Sequence, residues 1–405
     1  LRQLNMLKAM GVNAIRNSHN PVAREFLDLC DSIGFIVVNE TFDVWKNKKN
    51  RYDYHMYWDQ WFERDLAAQI VNDRNHPSVI MWCLGNEVQE QWHNMDLGES
   101  IPKHLVKIVD SLDGTRPTTI ANNEISMKNP VLMTEVIDII GYNYNHEKWE
   151  NVPENHPDKP FIVTESVSAL ETRGQYDLLP ADSIRQWPER WDIKFTGGNA
   201  DQSISAYDHV RTPWGSTHER SLYLSETIPW VSGMFVWTGF DYLGEPTPYT
   251  WPSRSSYFGI IDLAGFPKDV YYLYQSEWTD TPVLHLLPHW NWSKGDTVDV
   301  VAYYNNADKV ELFLNGQSYG VRSKSDSSLH TRWRVPYEPG EIKAVSSRGE
   351  TIVKETSVRT AGKAHILHLF SEQSSISGKE GLAFIQAKLC DAEGNLVPTA
   401  MDMVE

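Results

Sequence analysis

Two glutamates stand at matching places in two apolar runs. The first lies in Ile80-Met-Trp-Cys-Leu-Gly-Asn-Glu-Val88, where a run beginning at Val79 turns polar at Gly85, Asn86 and Glu87. The second, Glu165, follows Pro160 and the run to Val163 in Phe161-Ile-Val-Thr-Glu-Ser166. Each run reads as a strand buried on both faces, as a parallel sheet demands. The carboxylate then falls at the C-terminal end of its strand, where α/β barrels carry their chemistry. A single strand-end acid is equally at home capping a helix or pairing with an arginine. Two of them are the minimum for breaking a glycosidic bond. As a general acid/base, Glu87 needs a partly desolvated site or a neighbouring negative charge to hold its proton near neutrality. As a nucleophile, Glu165 must stay ionised within reach of the reacting carbon. A retaining pair would stand about 5 Å apart and an inverting pair about 8 to 9 Å.

The elements that must position these acids alternate along residues 1–280. Strand-like stretches occur at 12–16, 35–38, 79–84, 117–121, 136–140, 161–163 and 233–238, with helical patterns at 23–33, about 57–71, 97–112 and 203–227. In the first of these helices Phe26, Leu27, Leu29, Cys30 and Ile33 form a stripe closed by Gly34. Such alternation predicts βαβ units and a parallel sheet. The count is one short of a closed (β/α)8 TIM barrel. The missing first strand is expected upstream of Leu1, in a longer protein. A doubly wound open sheet is the structural alternative, but no glycine-rich phosphate loop follows the first strand. If the Val79 strand is fourth and the Phe161 strand seventh, the two acids face each other across the barrel mouth.

Beyond Thr279 the period changes to two. Short strands around 298–303, 309–314 and 342–345, with an Asn315-Gly316 turn, predict an Ig-like β-sandwich over residues 281–361. Residues 362–405 read as the start of a second sandwich, ending at Glu405 within a strand-like pattern. Neither sandwich carries a catalytic-looking cluster, which leaves them as supports or subsite walls.

Composition sets the outer limits. A net charge of −17 excludes nucleic acid as a partner, because phosphate binding needs basic surface. Three cysteines are too few for a disulfide framework. Cys30 and Cys83 lie inside apolar patterns and read as core. They suit a cytoplasmic protein without excluding a secreted one. No apolar run is long enough to span a bilayer. The sequence leaves the oligomeric state open, a homo-oligomer included. Sixteen tryptophans suit the stacking of sugar rings as well as a tightly packed barrel.

Three stretches, Asn17-Ser-His-Asn-Pro21, Asn72-Asp-Arg-Asn-His-Pro-Ser-Val79 and Trp82-Cys-Leu-Gly-Asn-Glu87, together resemble glycoside hydrolase family 2. This is the family of β-galactosidases and β-glucuronidases. The resemblance spans residues 1 to about 280, and the later modules are similar to the sandwich domains appended in bacterial β-galactosidases. It implies a bacterial periplasmic or secreted enzyme with a carbohydrate substrate. By motif, Glu87 resembles the acid/base, Asn86 the residue bonding the sugar 2-hydroxyl, and Glu165 the nucleophile. His19 resembles a histidine contacting sugar hydroxyls, and Tyr144 a tyrosine hydrogen-bonded to the nucleophile, with Tyr142 the alternative two residues away. Trp237 resembles the tryptophan of the pocket floor, where a cis Trp237–Thr238 peptide is expected. Arg16 and Arg74 are expected to pair with carboxylates or hold loops.

The sequence also departs from the family. The Mg²⁺-binding carboxylate and histidine of well-known members have no counterpart in register in Asn39-Glu-Thr-Phe-Asp-Val-Trp45, so no catalytic metal or other cofactor is expected. The Asn-x-Lys motif that grips a uronate has no lysine in Tyr257-Phe-Gly-Ile-Ile-Asp-Leu-Ala-Gly265. Asn47-Lys-Lys49 reads as part of a solvated charged loop. A neutral sugar, galactose first, is expected. The alternatives are a family member acting on a β-glucuronide, β-mannoside or arabinoside, and a non-catalytic carbohydrate-binding protein.

Overall fold

The computed structural model describes residues 1–376, 378 and 381–403, so the end of the strand-like pattern at Val404 and Glu405 lies outside the described residues. The chain divides into two compact units, Leu1–Thr172 with Ile184–Tyr274, and Arg173–Ser183 with Gln275–Glu405.

The first unit is a nearly closed parallel barrel. Its strands are β1 (Ala14–Arg16), β2 (Ile36–Glu40), β3 (Val79–Asn86), β4 (Thr118–Asn122), β5 (Ile139–Asn143), β6 (Phe161–Val167) and β7 (Val231–Trp237). They form one seven-stranded sheet in strict chain order, every neighbouring pair parallel. The longer helices are α1 (Arg2–Met10), α2 (Arg24–Ile33), α3 (Trp58–Asp73), α4 (Met95–Leu112), α5 (His218–Thr227) and α6 (Asp269–Trp278).

The period-3.6 stripe of α2 becomes packing: Leu27 and Cys30 are fully buried with Phe35, just before β2, and with Val37, Trp82 and Leu84 from the outer faces of the strands. Gly34 ends this helix at φ 83°, a left-handed conformation that costs glycine little. On the inner face, Val38, Met81, Cys83 and Ala121 fill the barrel interior with Ile139 and Phe235 against them. Both faces of β3 are therefore apolar, which is why its sequence runs unbroken rather than alternating. Gly85 breaks the run because the Trp45 indole crosses it: a Cβ there would lie 2.9 Å from Trp45 Nε1, which donates to the Leu84 carbonyl at 2.8 Å.

One expected element is shorter than its pattern. The helix anticipated over 203–227 is confined to α5, and Thr217 caps it by accepting from the Arg220 amide at 3.2 Å. Pro213 and Gly215 stand in the part that is not helical.

The second unit is antiparallel. One sheet orders β8 (Leu284–Leu287), β9 (Thr297–Tyr304) and β12 (His330–Pro336); the other orders β11 (Gln317–Arg322), β10 (Lys309–Leu314), β13 (Glu341–Arg348) and β14 (Thr351–Arg359). Their inward residues, among them Val298, Val300, Leu312, Ile342 and the buried Trp290 and Trp333, form one core, as a β-sandwich requires. A separate two-stranded ribbon joins β15 (Ile366–Ser371) and β16 (Ile385–Cys390). All three cysteines are free and buried. Among the described residues no helix is long and apolar enough to cross a membrane.

Candidate active site

The C-terminal ends of the barrel strands supply a converging set of polar side chains. Arg16 ends β1, Glu40 ends β2, Asn86 ends β3 with Glu87 next, Asn143 ends β5, and Glu165 lies near the end of β6. Several of these ends adopt left-handed backbone: φ is 43° at Glu87, 53° at Tyr144, 75° at Val167 and 51° at Ser168. For non-glycine residues this conformation is uncommon, and for a β-branched valine it is a true outlier. Such strain clusters where side chains must be re-aimed for function.

Arg16 is the centre of the network. Its buried guanidinium donates to Glu165 Oε1 at 2.9 Å, to the Thr164 carbonyl at 3.2 Å and to Asn86 Oδ1 at 3.0 Å, and pairs with Glu40 Oε2 at 2.7 Å. Burial works against its charge, but the Glu40 and Glu165 carboxylates outweigh that and raise its pKa above the ordinary arginine value. His19 lies beside it, Nδ1 3.3 Å from Glu40 Oε1 and Nε2 3.6 Å from Glu165 Oε1. Burial again opposes protonation of His19, and the bond to Glu40 with the charges of Glu40 and Glu165 raises its pKa overall.

Glu87 has different surroundings. Asn143 Nδ2 donates to Glu87 Oε1 at 2.9 Å and to Asn86 Oδ1 at 3.0 Å, while Thr164 Oγ1 donates to Asn143 Oδ1 at 2.7 Å and so fixes the amide. Burial first, and the charge of Glu165 second, push the Glu87 carboxyl up to about 7. The two acids thus have different neighbours: the Glu87 carboxyl accepts from an amide and faces a second carboxylate, while the buried Glu165 carboxylate is gripped by a guanidinium. Asn143 provides a check on this reading. Its hydrogen bond favours the charged form of Glu87, so Asn143→Ala is expected to move the midpoint of Glu87 upward in an NMR titration of its side-chain carboxyl. A midpoint that stays or falls would remove Asn143 from this role.

The remaining expected residues join the same cluster. The buried Tyr144 hydroxyl is within hydrogen-bonding reach of Glu165 and accepts from Ser168 Oγ at 2.9 Å; burial, then the charges of Glu165 and Glu87, raise its pKa well above the usual value. Tyr142 points elsewhere, its hydroxyl 3.1 Å from His156 Nε2 and its ring packed on Phe161. Asn86 Nδ2 meets His19 Nε2 at 3.3 Å and Asp43 Oδ1 at 3.1 Å. The Trp237 indole stacks on the His19 ring, centroids 5.2 Å apart and planes 1° from parallel, and the Trp237–Thr238 peptide is cis. The structure therefore brings together all six side chains singled out by the sequence.

Lys49 requires a correction. It does not sit in a solvated loop: its Nζ bonds Asp43 Oδ1 at 2.7 Å and the Asn86 carbonyl at 2.8 Å, at the end of β3. Arg74 donates instead to the carbonyl of Leu112, the last residue of α4, at 2.5 Å. Sequence reasoning did not select Asn143, Tyr242 or Glu245. Asn143 carries the same strand-end signature as Glu165, a polar residue closing an apolar run. Tyr242 and Glu245 lack any such signal. The Tyr242 hydroxyl accepts from Trp237 Nε1 at 3.2 Å and donates to Glu245 Oε2 at 2.5 Å. Desolvation of its carboxylate, with the charge of Glu165 adding, raises Glu245 above its ordinary value.

Comparison with known proteins places the chain among glycoside hydrolases. Residues 1–190 match the model "Glycosyl hydrolases family 2, TIM barrel domain", and residues 295–354 match a domain of unknown function, DUF4982. A beta-galactosidase of Bacteroides ovatus, BoGH2A, is 49% identical over 100% of this chain and 50% of its own length. A solved structure, a beta-glycosidase from Bacteroides vulgatus, is 36% identical with a TM-score of 0.85, covering 97% of this chain and 51% of that one. A beta-glucuronidase of Bacteroides fragilis is 26% identical over 88% of this chain and 48% of its own length. The chain spans about half the length of the curated relatives it matches.

Proposed function

The chain belongs to glycoside hydrolase family 2, and from that premise we propose that it cleaves terminal non-reducing β-galactosides by a retaining double displacement. The observation that carries the catalytic part is the contrast between the two acids, Glu87 pushed up to about 7 and Glu165 bound by Arg16. In the first step Glu165 attacks the anomeric carbon while Glu87 gives its proton to the departing glycosidic oxygen. An ester between sugar and Glu165 results, and the aglycone leaves as an alcohol. In the second step Glu87, now a carboxylate, takes a proton from water as that water attacks the same carbon. Glu165 is released and the anomeric configuration is restored. Asn86 and His19 serve as hydrogen-bonding partners for sugar hydroxyls, and Trp237 as the stacking surface beneath the ring.

A neutral sugar is supported by the charges around the cluster. Arg16 is already paired with Glu40 and Glu165, and Lys49 with Asp43. Glu245 adds a carboxylate next to Trp237 and Tyr242. A uronate would meet acids there, and its carboxylate would have to compete for cations already bound. Galactose is the neutral sugar preferred on the strength of the relative from Bacteroides ovatus.

A panel of nitrophenyl glycosides tests both parts. The expected result is kcat/KM on the β-galactoside at least about tenfold above the β-glucuronide, β-mannoside and arabinoside, a difference of about 1.4 kcal/mol in transition-state binding. Proton NMR of the first-formed sugar should show the β-anomer. Faster turnover of the glucuronide would overturn the choice of sugar. A first-formed α-anomer would overturn retention, and no turnover of any glycoside would overturn the catalytic reading.

A further inference from the structure

A second polar cluster lies in the barrel unit, apart from the residues assigned above. Glu171, Asp208 and His218 offer one ligand atom each, all within 4.8 Å of one another. Glu171 follows the exit of β6, held by its amide donating to the Tyr257 carbonyl at 3.1 Å. Asp208 precedes α5 and accepts from the amides of His218 and Glu219, both at 2.8 Å. His218 opens that helix, and its Nδ1 is 2.9 Å from the Tyr274 hydroxyl on α6.

Two independent facts separate this cluster from an ordinary patch of acids. First, Glu171 is only 2% exposed, yet neither of its carboxylate oxygens has a hydrogen-bond partner. Buried polar groups are almost always satisfied, so a buried acid with two orphan oxygens calls for an explanation. Second, the nearby cation cannot supply it. The Lys268 ammonium has three protons, and these reach Asp241 Oδ2 at 2.9 Å, the Glu171 carbonyl at 2.9 Å and the Tyr257 carbonyl at 3.0 Å.

We propose that Glu171, Asp208 and His218 form a buried binding site for a single divalent transition-metal ion of the Zn²⁺ class. The donor set argues for this class. Imidazole with carboxylates suits Zn²⁺, whereas Ca²⁺ takes six to eight oxygens and Mg²⁺ keeps several waters. The His218 ring is placed as a ligating histidine usually is: Nδ1 faces a hydroxyl oxygen that can accept its proton, which would leave Nε2 to the ion. The ion would satisfy both orphan oxygens and tie the segment after β6 to the start of α5. Its role is structural, because none of its ligands belongs to the Glu87–Glu165 cluster. By contrast, Asp28, Asp31 and His76 also lie close together, but His76 already bonds Asp31 at 2.7 Å and neither acid is buried.

The test uses tag-free protein, stripped with a strong chelator and dialysed back against Zn²⁺, Mn²⁺, Mg²⁺ or Ca²⁺ in turn. Mass spectrometry of bound metal is expected to show one equivalent after Zn²⁺, with Tm higher than in the stripped protein by about 5 °C or more. Glu171→Gln keeps the shape and neutral charge of a protonated acid, so it should fold while losing both the bound equivalent and the Zn²⁺ response. Asp208→Asn should lose them as well, and stands in if the first variant is insoluble. Three outcomes overturn the proposal: no stoichiometric metal in the wild type, an equivalent that persists in both variants, or stabilisation by Ca²⁺ or Mg²⁺ but not Zn²⁺.

Discussion

Replacing Glu165 with glycine is expected to lower kcat on a nitrophenyl β-galactoside by about 10⁴-fold or more, with the fold intact. The size follows from the proposed role of Glu165 as the nucleophile, since removing such a nucleophile leaves only binding and the surrounding charges to act. The fold should survive because Arg16 does not lose its whole environment. It keeps Glu40 at 2.7 Å, Asn86 at 3.0 Å and the Thr164 carbonyl at 3.2 Å. The cavity left by the missing carboxylate should admit a small anion such as azide or formate. That anion would attack the anomeric carbon from the side Glu165 used, so azide should restore turnover and yield the α-glycosyl azide, inverted relative to substrate. This stereochemistry distinguishes a nucleophile from a residue that merely holds Arg16. A variant within tenfold of wild type, or one whose azide product keeps the β-configuration, would remove Glu165 from the nucleophile's place.

The distinction between the two acids shows how far the sequence could be read. The strands bearing Glu87 and Glu165 announce themselves, because burial on both faces forces an unbroken apolar run and any polar residue that closes it is conspicuous. The same logic made α2 legible, with its stripe and terminal glycine. It failed where position depends on how a loop returns. Lys49 carries no local sign that its ammonium meets the carbonyl of Asn86, 37 residues away. Its charged neighbours Lys46 and Lys48 are exposed instead, Lys46 pairing with Asp59 at 2.8 Å on the surface. Tyr242 and Glu245 are similar cases, joined to Trp237 only through the loop that follows β7. The overlong helix at 203–227 is a different failure, since the breakers were present. Pro213 cannot continue a helix. Gly215 lies where a Cβ would collide with the Val167 carbonyl, and Asp208 accepts from the amides of His218 and Glu219, one on each oxygen. The start of α5 was therefore written in Asp208 and Thr217, ten and one residues before it. Orphan oxygens such as those of Glu171 have no sequence signature at all, because satisfaction is a property of the folded neighbourhood.

Glu87→Gln is expected to separate substrates by their leaving groups. An acid is needed in proportion to the basicity of the departing oxygen, so alkyl galactosides should lose about 10²- to 10⁴-fold in kcat/KM. Dinitrophenyl galactoside, whose phenolate leaves unaided, should be glycosylated within about tenfold of the wild-type rate. Its turnover should nevertheless stall at the ester on Glu165, since the variant also lacks the base that activates water. A burst of phenolate followed by a slow phase is the expected trace, and azide should relieve the slow phase and give the β-glycosyl azide. The pH dependence follows from the same group. Glu87 is pushed up to about 7, chiefly by burial, and only its protonated form can act as the acid. Wild-type kcat/KM on alkyl galactosides should therefore hold below that pH and fall as the pH rises through about 7. In Glu87→Gln this alkaline limb should vanish. A uniform loss across leaving groups, or a limb that persists unchanged in the variant, would mean that the proton comes from another residue and that the buried carboxyl beside Asn143 serves a different end.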